Sequence, residues 1–313
     1  MLGGGRLGPY GMVLPFVCLF GVFFAAPLGY ALYLSFTSEL TGKIVGLINY
    51  RAVLQDSVFW GGLARVGYFG AVEVSIMVVL SLGLALLVNT PYAKARRFFS
   101  VVYFLPYAVP GVVAATLWGF LMSPSLDGAL GVTKLLGLTK GPLDPLSGGV
   151  LLYAIMLIVT WEFTGYNVAI YSTALTAIPK PVIEAAYVDG APEWRLALNI
   201  KLPYLRRMLV FTIVLSIIGT LQLFTEPYIL SELVSISANY TPNMLMYEQA
   251  FSFNNLPFAA AGCVVLTGIT VVPVVMLLGG LRASARRTNS RRAEPVRITA
   301  VPAYKGSVAG AGR

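Results

Sequence analysis

Three carboxylates lie within or at the edge of long apolar stretches of the sequence, where water would not solvate them. Glu73 lies in the second such stretch, Glu162 in the fourth and Glu226 in the fifth. A charged side chain inside a membrane is energetically expensive, and it usually faces a cavity or an opposing group. We expect Glu162 to face a solute pathway, Glu73 to meet another helix or subunit, and Glu226 to be solvated near the outer surface.

The segment around Glu162 is also the densest polar and aromatic cluster within the apolar stretches. It reads Trp-Glu-Phe-Thr-Gly-Tyr-Asn over residues 161–167. Polar groups that form hydrogen bonds and flat aromatic faces can together hold a small polar solute, and this segment offers both. Ordinary helix packing would use the same aromatic residues, so Phe163 and Tyr166 have two alternative roles.

The remaining residue types count against an enzyme and against a metal centre. The sequence has no histidine, which is the commonest general base and metal ligand, and only two cysteines. Cys18 and Cys263 both lie inside apolar runs, where a thiol behaves as a small hydrophobe. We therefore predict no catalytic residue, no metal site and no cofactor in this chain.

Membrane-spanning helices must position these side chains. The 313 residues are 57% hydrophobic and 11% charged, whereas soluble domains carry roughly 25% charged residues. Mean hydropathy is +0.78. Because a helix needs about 20 apolar residues to cross a bilayer, we predict an all-α fold with six transmembrane helices. They cover residues 10–36, 65–88, 98–122, 150–175, 208–230 and 258–281. The first is too long for the apolar core of a cleaved signal peptide, which favours a retained helix.

Basic residues set the predicted orientation. With the six spans as drawn, 17 of the 22 Lys and Arg residues fall on one side of the membrane, and the positive-inside rule places that side, with both termini, in the cytoplasm. We divide the chain into a cytoplasmic N-terminus (1–9), a transmembrane domain (10–281) and a basic, disordered cytoplasmic tail (282–313). The basic tail favours contact with anionic membrane lipid over binding of nucleic acid.

The loop between the fourth and fifth spans, residues 178–207, predicts two short helices joined by a tight turn. Pro181 suits the first turn of one helix and Gly190 suits its end. Pro192 can open a second helix, which Pro203 would close.

These two helices carry polar and apolar side chains that their own chain does not bury. The exposed faces contain Glu184, Asp189, Glu193 and Arg195 beside Ala185, Val188 and Trp194. Such a surface suits docking into a groove on a cytoplasmic partner. The alternative is an amphipathic helix resting on the lipid surface.

The same loop resembles the EAA signature of binding-protein-dependent ABC importer permeases, with no error in spacing. The matching residues are Glu184, Ala185, Ala186, Gly190, Ile200, Leu202 and Pro203, with Asp189 just before the glycine. Residues 46–50, 104–110 and 174–179 resemble the carbohydrate, maltose-permease-like branch of that family, and the resemblance covers roughly 14–281. One departure is Ser231-Glu-Leu-Val-Ser, which stands where that branch has a Gly-Gly-Pro turn.

The resemblance implies a permease subunit of a sugar importer in the bacterial inner membrane. Its partners would be a second, dissimilar permease, two ATPase subunits that bind ATP and Mg²⁺, and an extracytoplasmic sugar-binding protein. The matched loop residues would couple to the ATPase, with Glu184 and Asp189 meeting its basic side chains. The sequence lacks the Gly-x-x-x-x-Gly-Lys-Ser/Thr phosphate loop, so it would not bind the nucleotide itself.

The resemblance also implies a set of sugar contacts. They are Tyr107, Gly111, Glu162, Phe163, Tyr166, Ser216, Thr220 and Leu223. Gly111 replaces a serine of that branch, which implies the loss of one hydroxyl contact. Leu223 replaces a polar residue, which indicates a different sugar or a different pose. Gln222 and Glu226 are neighbouring candidates.

Other functional classes remain as alternatives. An ion-coupled secondary transporter with Glu162 as the ion site would share the helices but would not need the exposed loop, and its usual internal repeat is missing from this sequence. A membrane enzyme lacks any catalytic motif to support it. A permease of the same family for an amino acid, ion or peptide is the third alternative.

Overall fold

The computed structural model describes residues 8–90, 96–123, 145–237 and 239–292. Over these residues the regular structure is helical, with one isolated antiparallel bridge between Thr37 and Ile44. The α-helices are α1 (Gly8–Phe20), α2 (Ala26–Leu34), α3 (Ile48–Gln55), α4 (Ser57–Val88), α5 (Arg96–Phe104), α6 (Gly111–Met122), α7 (Leu151–Thr176), α8 (Lys180–Val188), α9 (Glu193–Leu196), α10 (Leu202–Leu221), α11 (Thr225–Ser231), α12 (Pro242–Tyr247) and α13 (Leu256–Arg292).

Five helical stretches of the described residues are long and apolar enough to cross a membrane. They correspond to five of the predicted spans, and they confirm an all-α membrane protein. The predicted third span is not one continuous helix, because α6 has only 12 residues and a short 3₁₀ turn, Pro106–Ala108, separates it from α5. The count of six crossings and the cytoplasmic side of both termini stay predictions.

Two prolines explain the interruption of the third span. A proline nitrogen has no hydrogen to donate, so a proline inside a helix breaks the hydrogen-bond ladder. Pro106 begins the 3₁₀ turn, and Pro110 lies in extended backbone with ψ 134° immediately before α6. The chain therefore crosses this region as helix, turn and helix, and the turn carries Tyr107.

The predicted fifth span is interrupted once and begins earlier than expected. α10 ends at Leu221, and α11 resumes at Thr225 after three non-helical residues. The prediction that Pro203 closes the second loop helix is wrong. A π-helical turn, Ala197–Lys201, joins α9 directly to α10, and Pro203 lies in the first turn of α10. Pro203 has no amide hydrogen to donate, and the π-helical turn just before it already departs from the regular α-helical hydrogen-bond pattern that a proline interrupts.

The packed centre of the protein lies between α4 and α7. Phe69 of α4 and Ile155 and Ile158 of α7 are buried together with Leu223 and Leu230 in one apolar cluster. By contrast, no residue of the apolar stretch Gly11–Leu34 is buried. That stretch therefore presents its side chains outward, as a lipid-facing helix does.

The structure divides into two compact units, one up to Val274 and one from Val275. The first contains all the packing described above. In the second, the helix continues to Arg292, so the segment predicted as a disordered tail begins as helix. Residues 293–313 lie outside the described part of the chain, and the domain boundaries at 9 and 281 stay predictions.

Candidate functional site

A cavity of about 370 Å³ lies between α4, α7 and α10, where the interruptions after α5 and α10 leave room for it. Its volume falls at the lower end of the range of roughly 300–1,000 Å³ typical of small-molecule sites. The lining comprises Phe69, Glu73, Met77, Tyr107, Val159, Phe163, Tyr166, Asn167, Leu215, Ser216, Gly219, Thr220, Gln222, Leu223, Phe224, Thr225 and Glu226.

The structure brings most of the expected sugar-contact residues to this one cavity. Six of the eight line it: Tyr107, Phe163, Tyr166, Ser216, Thr220 and Leu223. Gly111 and Glu162 are not in the lining but lie beside it. A methyl group on Gly111 would stand 3.5 Å from Oε1 of Glu162 and 3.8 Å from Oε1 of Glu226. Contact of any of these residues with a solute stays a prediction.

Three aromatic rings form one wall of the cavity. The ring of Tyr107 stacks on that of Tyr166, with centroids 4.8 Å apart and planes 23° apart. Phe163 meets Tyr107 edge-on at 5.9 Å. Tyr107 is the residue carried by the 3₁₀ turn, whereas its two partners lie three residues apart on α7 and so share one face of that helix.

Three buried carboxylates accompany this wall. Glu73, Glu162 and Glu226 are only 1%, 6% and 8% exposed. Glu73 and Glu226 belong to the lining, and the expectation that Glu226 is solvated at the outer surface is wrong. Sequence reasoning missed it because the apolar run reads as one span, although Pro227, in the first turn of α11, signals that a new helix starts after α10 ends at Leu221.

Hydrogen bonding leaves part of this acidic group unsatisfied. Oε1 of Glu73 and Oε2 of Glu162 are buried and have no hydrogen-bond partner among the described residues. The amide of Asn167, also in the lining, donates to its own helix at the carbonyl of Phe163 (3.2 Å) and to Sδ of Met77 (3.3 Å). The cavity therefore offers spare acceptors to any molecule that brings hydroxyl hydrogens.

The second candidate site is the turn between α8 and α9, where the predicted helix end is confirmed. Gly190 has φ +71°, a left-handed conformation that glycine adopts without a Cβ clash. The amide of Gly190 donates to the carbonyl of Tyr187 (3.0 Å), and the amide of Ala191 donates to that of Ala186 (2.9 Å). This pair of bonds is the Schellman arrangement that ends a helix.

Exposure divides the motif residues of this loop into three groups. Glu184, Ala185, Asp189, Gly190 and Pro203 are exposed, Ile200 and Leu202 are half-buried, and Ala186 is buried. Val188 beside the turn is 87% exposed, and Trp194 is also exposed, with the guanidinium of Arg195 5.3 Å from its ring. The turn therefore presents apolar surface that the described residues leave uncovered.

Glu193 joins the two short helices of the loop. It accepts a hydrogen bond from the hydroxyl of Tyr187 on α8, and its other oxygen lies 3.3 Å from Nζ of Lys201. Lys201 is only 4% exposed. Sequence reasoning placed Glu193 on an exposed face and overlooked Lys201. The spacing of eight residues between them crosses the π-helical turn, so a regular helical period would not pair them.

The sequence is similar to one protein family and to permease proteins of known transport systems. The family described as "Binding-protein-dependent transport system inner membrane component" matches residues 77–278. The lactose transport system permease protein LacF of Rhizobium radiobacter is 34% identical over 283 residues, which are 88% of this chain and 93% of that protein. The sn-glycerol-3-phosphate transport system permease protein UgpA of Yersinia pestis is 29% identical over 276 residues, 84% of this chain and 92% of that protein.

The fold also matches a solved structure. The crystal structure of a bacterial ABC transporter involved in the import of the acidic polysaccharide alginate contains a chain that superposes with a TM-score of 0.77. The match is 20% identical in sequence and covers 88% of this chain and 94% of that chain. Fold, motif loop and sequence similarity thus agree: the chain belongs to the family of inner membrane components of binding-protein-dependent transport systems.

Proposed function

We propose that this chain conducts a sugar across a bacterial inner membrane as one of two permease subunits in an ATP-driven importer. Members of its family are non-catalytic membrane components, and the family description names a dependence on a binding protein. ATP and Mg²⁺ bind two separate ATPase subunits, because this sequence contains no phosphate loop. A second, dissimilar permease completes the pathway, and an extracytoplasmic binding protein delivers the solute.

The observation that carries the coupling part of the proposal is the exposed turn at Gly190. Two short helices meet there, and the apolar side chains of Val188 and Trp194 have no cover from the described residues. A helix of this kind docks by laying its apolar side chains into a groove of the partner. The ATPase would supply that groove, and acidic Glu184 and Asp189 at the rim would meet basic residues of the ATPase.

Force applied at this turn would reach the cavity through continuous helix. α9, the π-helical turn and α10 form one uninterrupted helical path from Glu193 to Leu221. The far end of this path carries Ser216 and Thr220, which line the cavity. Movement of the ATPase pair would thus tilt a cavity wall, and ATP and a docked binding protein would favour the same outward-open state by linkage.

Two observations support a sugar as the solute. The cavity combines stacked tyrosines with carboxylates, hydroxyls and an amide, the groups that hold sugar rings. The relative that is 34% identical is named for lactose transport. The expected contacts at Tyr107, Phe163 and Tyr166 supply the aromatic faces.

The coupling role is tested by a Gly190→Val variant with Gly42→Val as a matched control. Both glycines have positive φ (+71° and +64°) and nothing within 4 Å of an added Cβ, so both substitutions impose similar backbone strain, about 1–2 kcal/mol or more for a branched side chain. Only Gly190 lies in the coupling loop. We expect Gly190→Val to lower uptake at least tenfold while the protein remains in the membrane, and Gly42→Val to leave uptake nearly unchanged. Equal uptake by the two variants would remove the coupling role.

The alternative of an ion-coupled secondary transporter is tested by isolation. The tagged chain would be solubilised in mild detergent, its companions identified by mass spectrometry, and ATP hydrolysis measured with a panel of sugars. We expect a second permease and an ATPase to accompany it. A chain that purifies alone and moves solute on an ion gradient would instead support the secondary transporter, with Glu162 as its ion site.

A further inference from the structure

The cavity has acidic side chains in its described lining but no basic ones. Glu73 and Glu226 line it, Glu162 lies directly behind Gly111 beside Glu226, and the lining contains no lysine or arginine. Neither does any described ion pair involve these carboxylates, since the one salt bridge of the described residues joins Lys201 and Glu193. Whatever enters the cavity therefore meets carboxyl groups and finds no cationic side chain in the described lining.

The unsatisfied oxygens leave part of the hydrogen-bonding capacity of the acidic group unused. Glu73 is 1% exposed and lines the cavity, yet its Oε1 has no hydrogen-bond partner among the described residues. A buried acceptor without a donor destabilises the structure that holds it. Hydroxyl groups of a bound molecule would supply the missing donors, whereas a ligand carboxylate or phosphate would bring a charge for which the described lining has no cationic partner.

From these observations, and resting on the proposed role in sugar import, we propose that the cavity accepts uncharged saccharides and rejects anionic ones. The stacked rings of Tyr107 and Tyr166 hold an apolar face of the sugar. Glu73 and Glu226 accept hydrogen bonds from its hydroxyl groups. Selection against negative charge is thus built into this chain and is independent of the choice made earlier by the binding protein.

Family membership alone does not decide the charge of the solute. One relative is named for sn-glycerol-3-phosphate and a structure of similar fold belongs to an importer of acidic alginate, whereas another relative is named for lactose. The carboxylates of this cavity favour the uncharged class. Restriction of the solute to uncharged sugars is therefore a choice that the comparisons leave open.

The test uses matched pairs of methyl glycosides that differ only at C6. The galactoside, glucoside and mannoside each carry a hydroxymethyl group, and their uronate counterparts carry a carboxylate there. Binding is measured by calorimetry on the purified permease and ATPase complex without its binding protein, so that the permease alone selects. We expect at least one neutral glycoside to bind and its uronate to bind at least tenfold more weakly, because the described lining offers the uronate carboxylate no cationic partner.

Isosteric variants assign this selectivity to the named residues. Glu73→Gln and Glu226→Gln remove a charge but keep size and shape, and Glu232→Gln serves as the control because Glu232 is exposed and outside the lining. We expect each cavity variant to narrow the neutral-to-uronate ratio several-fold, and the control to leave that ratio unchanged.

The outcomes separate this inference from the sugar proposal. A uronate that binds the wild-type complex as tightly as its neutral partner overturns the charge selection but leaves sugar import standing. A preference for neutral sugars that survives both cavity variants shows that another subunit creates it, which also overturns the assignment. If no saccharide of either charge binds or stimulates ATP hydrolysis, the proposed function fails, and the charge inference fails with it.

Discussion

The coupling loop and the cavity are built in opposite ways. The loop is a single continuous segment, and short-range signals such as Gly190 define its turn. The cavity is assembled from residues as distant in sequence as Phe69 and Glu226, which helix interruptions bring together. The loop ends in exposed apolar side chains, whereas the cavity buries its charges. A docking surface can thus be encoded locally, but a solute pathway depends on where several helices start and stop.

The two regions also differ in how firmly they are held. The loop has an exposed tip but a buried base, because Ile178, Leu205 and Tyr171 pack in one apolar cluster with residues of α4 and α7. Because a packed interior has low compressibility, a loop with a buried base transmits force to the helices on which it packs. The cavity, by contrast, depends on helices that approach each other closely. Substitutions at these close approaches are the first test of the difference between the two regions.

The largest effect is expected from Gly165→Ala, which attacks the cavity wall. Gly165 is buried on α7, and an added Cβ would overlap the backbone carbonyl of Tyr103 on α5. Backbone atoms cannot swing aside as a side chain can, so the two helices would have to separate. We expect roughly 3 kcal/mol of destabilisation, measured as a lower melting temperature in detergent and as less protein in the membrane.

The matched control for this variant is Gly83→Ala. Gly83 is also helical, but an added Cβ there meets nothing within 4 Å. Because alanine favours a helix over glycine by about 1 kcal/mol, this change should be neutral or slightly stabilising. Equal melting temperatures for the two variants would contradict the close packing of α5 on α7.

Much of the loop and part of the cavity followed from the sequence. The helix end at Gly190 and the exposed apolar side chains of the loop follow from short-range rules, so the structure confirms them. The spacing of the EAA residues gave the family, which the comparisons also show. Six of the eight residues expected to contact sugar line one cavity, although the contact itself stays a prediction.

What the sequence left open depends on helix interruptions and on tertiary contacts. A run of apolar residues reads as one span, so the break between α10 and α11 and the inward position of Glu226 were missed, although Pro227 marks the start of α11. Pro203 predicted a helix end because a proline usually interrupts a helix. In the structure the π-helical turn leads directly into α10, and the helix continues through Pro203. The pairing of Glu193 with Lys201 likewise required the turn to be known.

The next largest effect is expected in the loop, from Glu193→Ala. This change removes the acceptor for Tyr187 and leaves the ammonium of Lys201 buried without its partner. Leaving such a donor unsatisfied costs about 1–3 kcal/mol, which would disorder the loop relative to its base. We expect uptake to fall about tenfold at constant membrane abundance, measured together with ATP hydrolysis in proteoliposomes.

A second substitution separates loss of loop order from loss of an ATPase contact. Lys201→Met removes the buried charge while keeping a side chain of similar length, and a buried ion pair is often replaced by apolar residues without loss of stability. The double variant should therefore recover much of the uptake that Glu193→Ala loses. If it recovers nothing, Glu193 acts by touching the ATPase, not by holding the two helices together.

A smaller effect, and a different kinetic signature, is expected in the cavity from Tyr107→Ala. Removing the ring abolishes its stacking on Tyr166, and aromatic contacts of this type contribute about 0.5–1.5 kcal/mol. We expect the apparent KM for the sugar to rise about three- to tenfold with little change in the maximal rate. Tyr107→Phe keeps the stacked ring and should remain close to wild type. A fall in maximal rate with KM unchanged would place Tyr107 in the coupling path instead.

The smallest effect is expected where the two regions meet, between Tyr171 of α7 and Thr212 of α10. Their hydroxyl oxygens are 2.6 Å apart, and because Thr212 already donates to the carbonyl of Leu209 (3.0 Å), Tyr171 is the donor. Tyr171→Phe removes that donor and should cost only about 0.6–1 kcal/mol. Thr212→Val instead leaves the buried tyrosine hydroxyl without its acceptor and should cost more, about 1–3 kcal/mol. Melting temperatures of the two variants in detergent measure this asymmetry. A greater loss from Tyr171→Phe would contradict the assignment of Tyr171 as the donor to Thr212, because phenylalanine keeps the ring and removes only the hydroxyl.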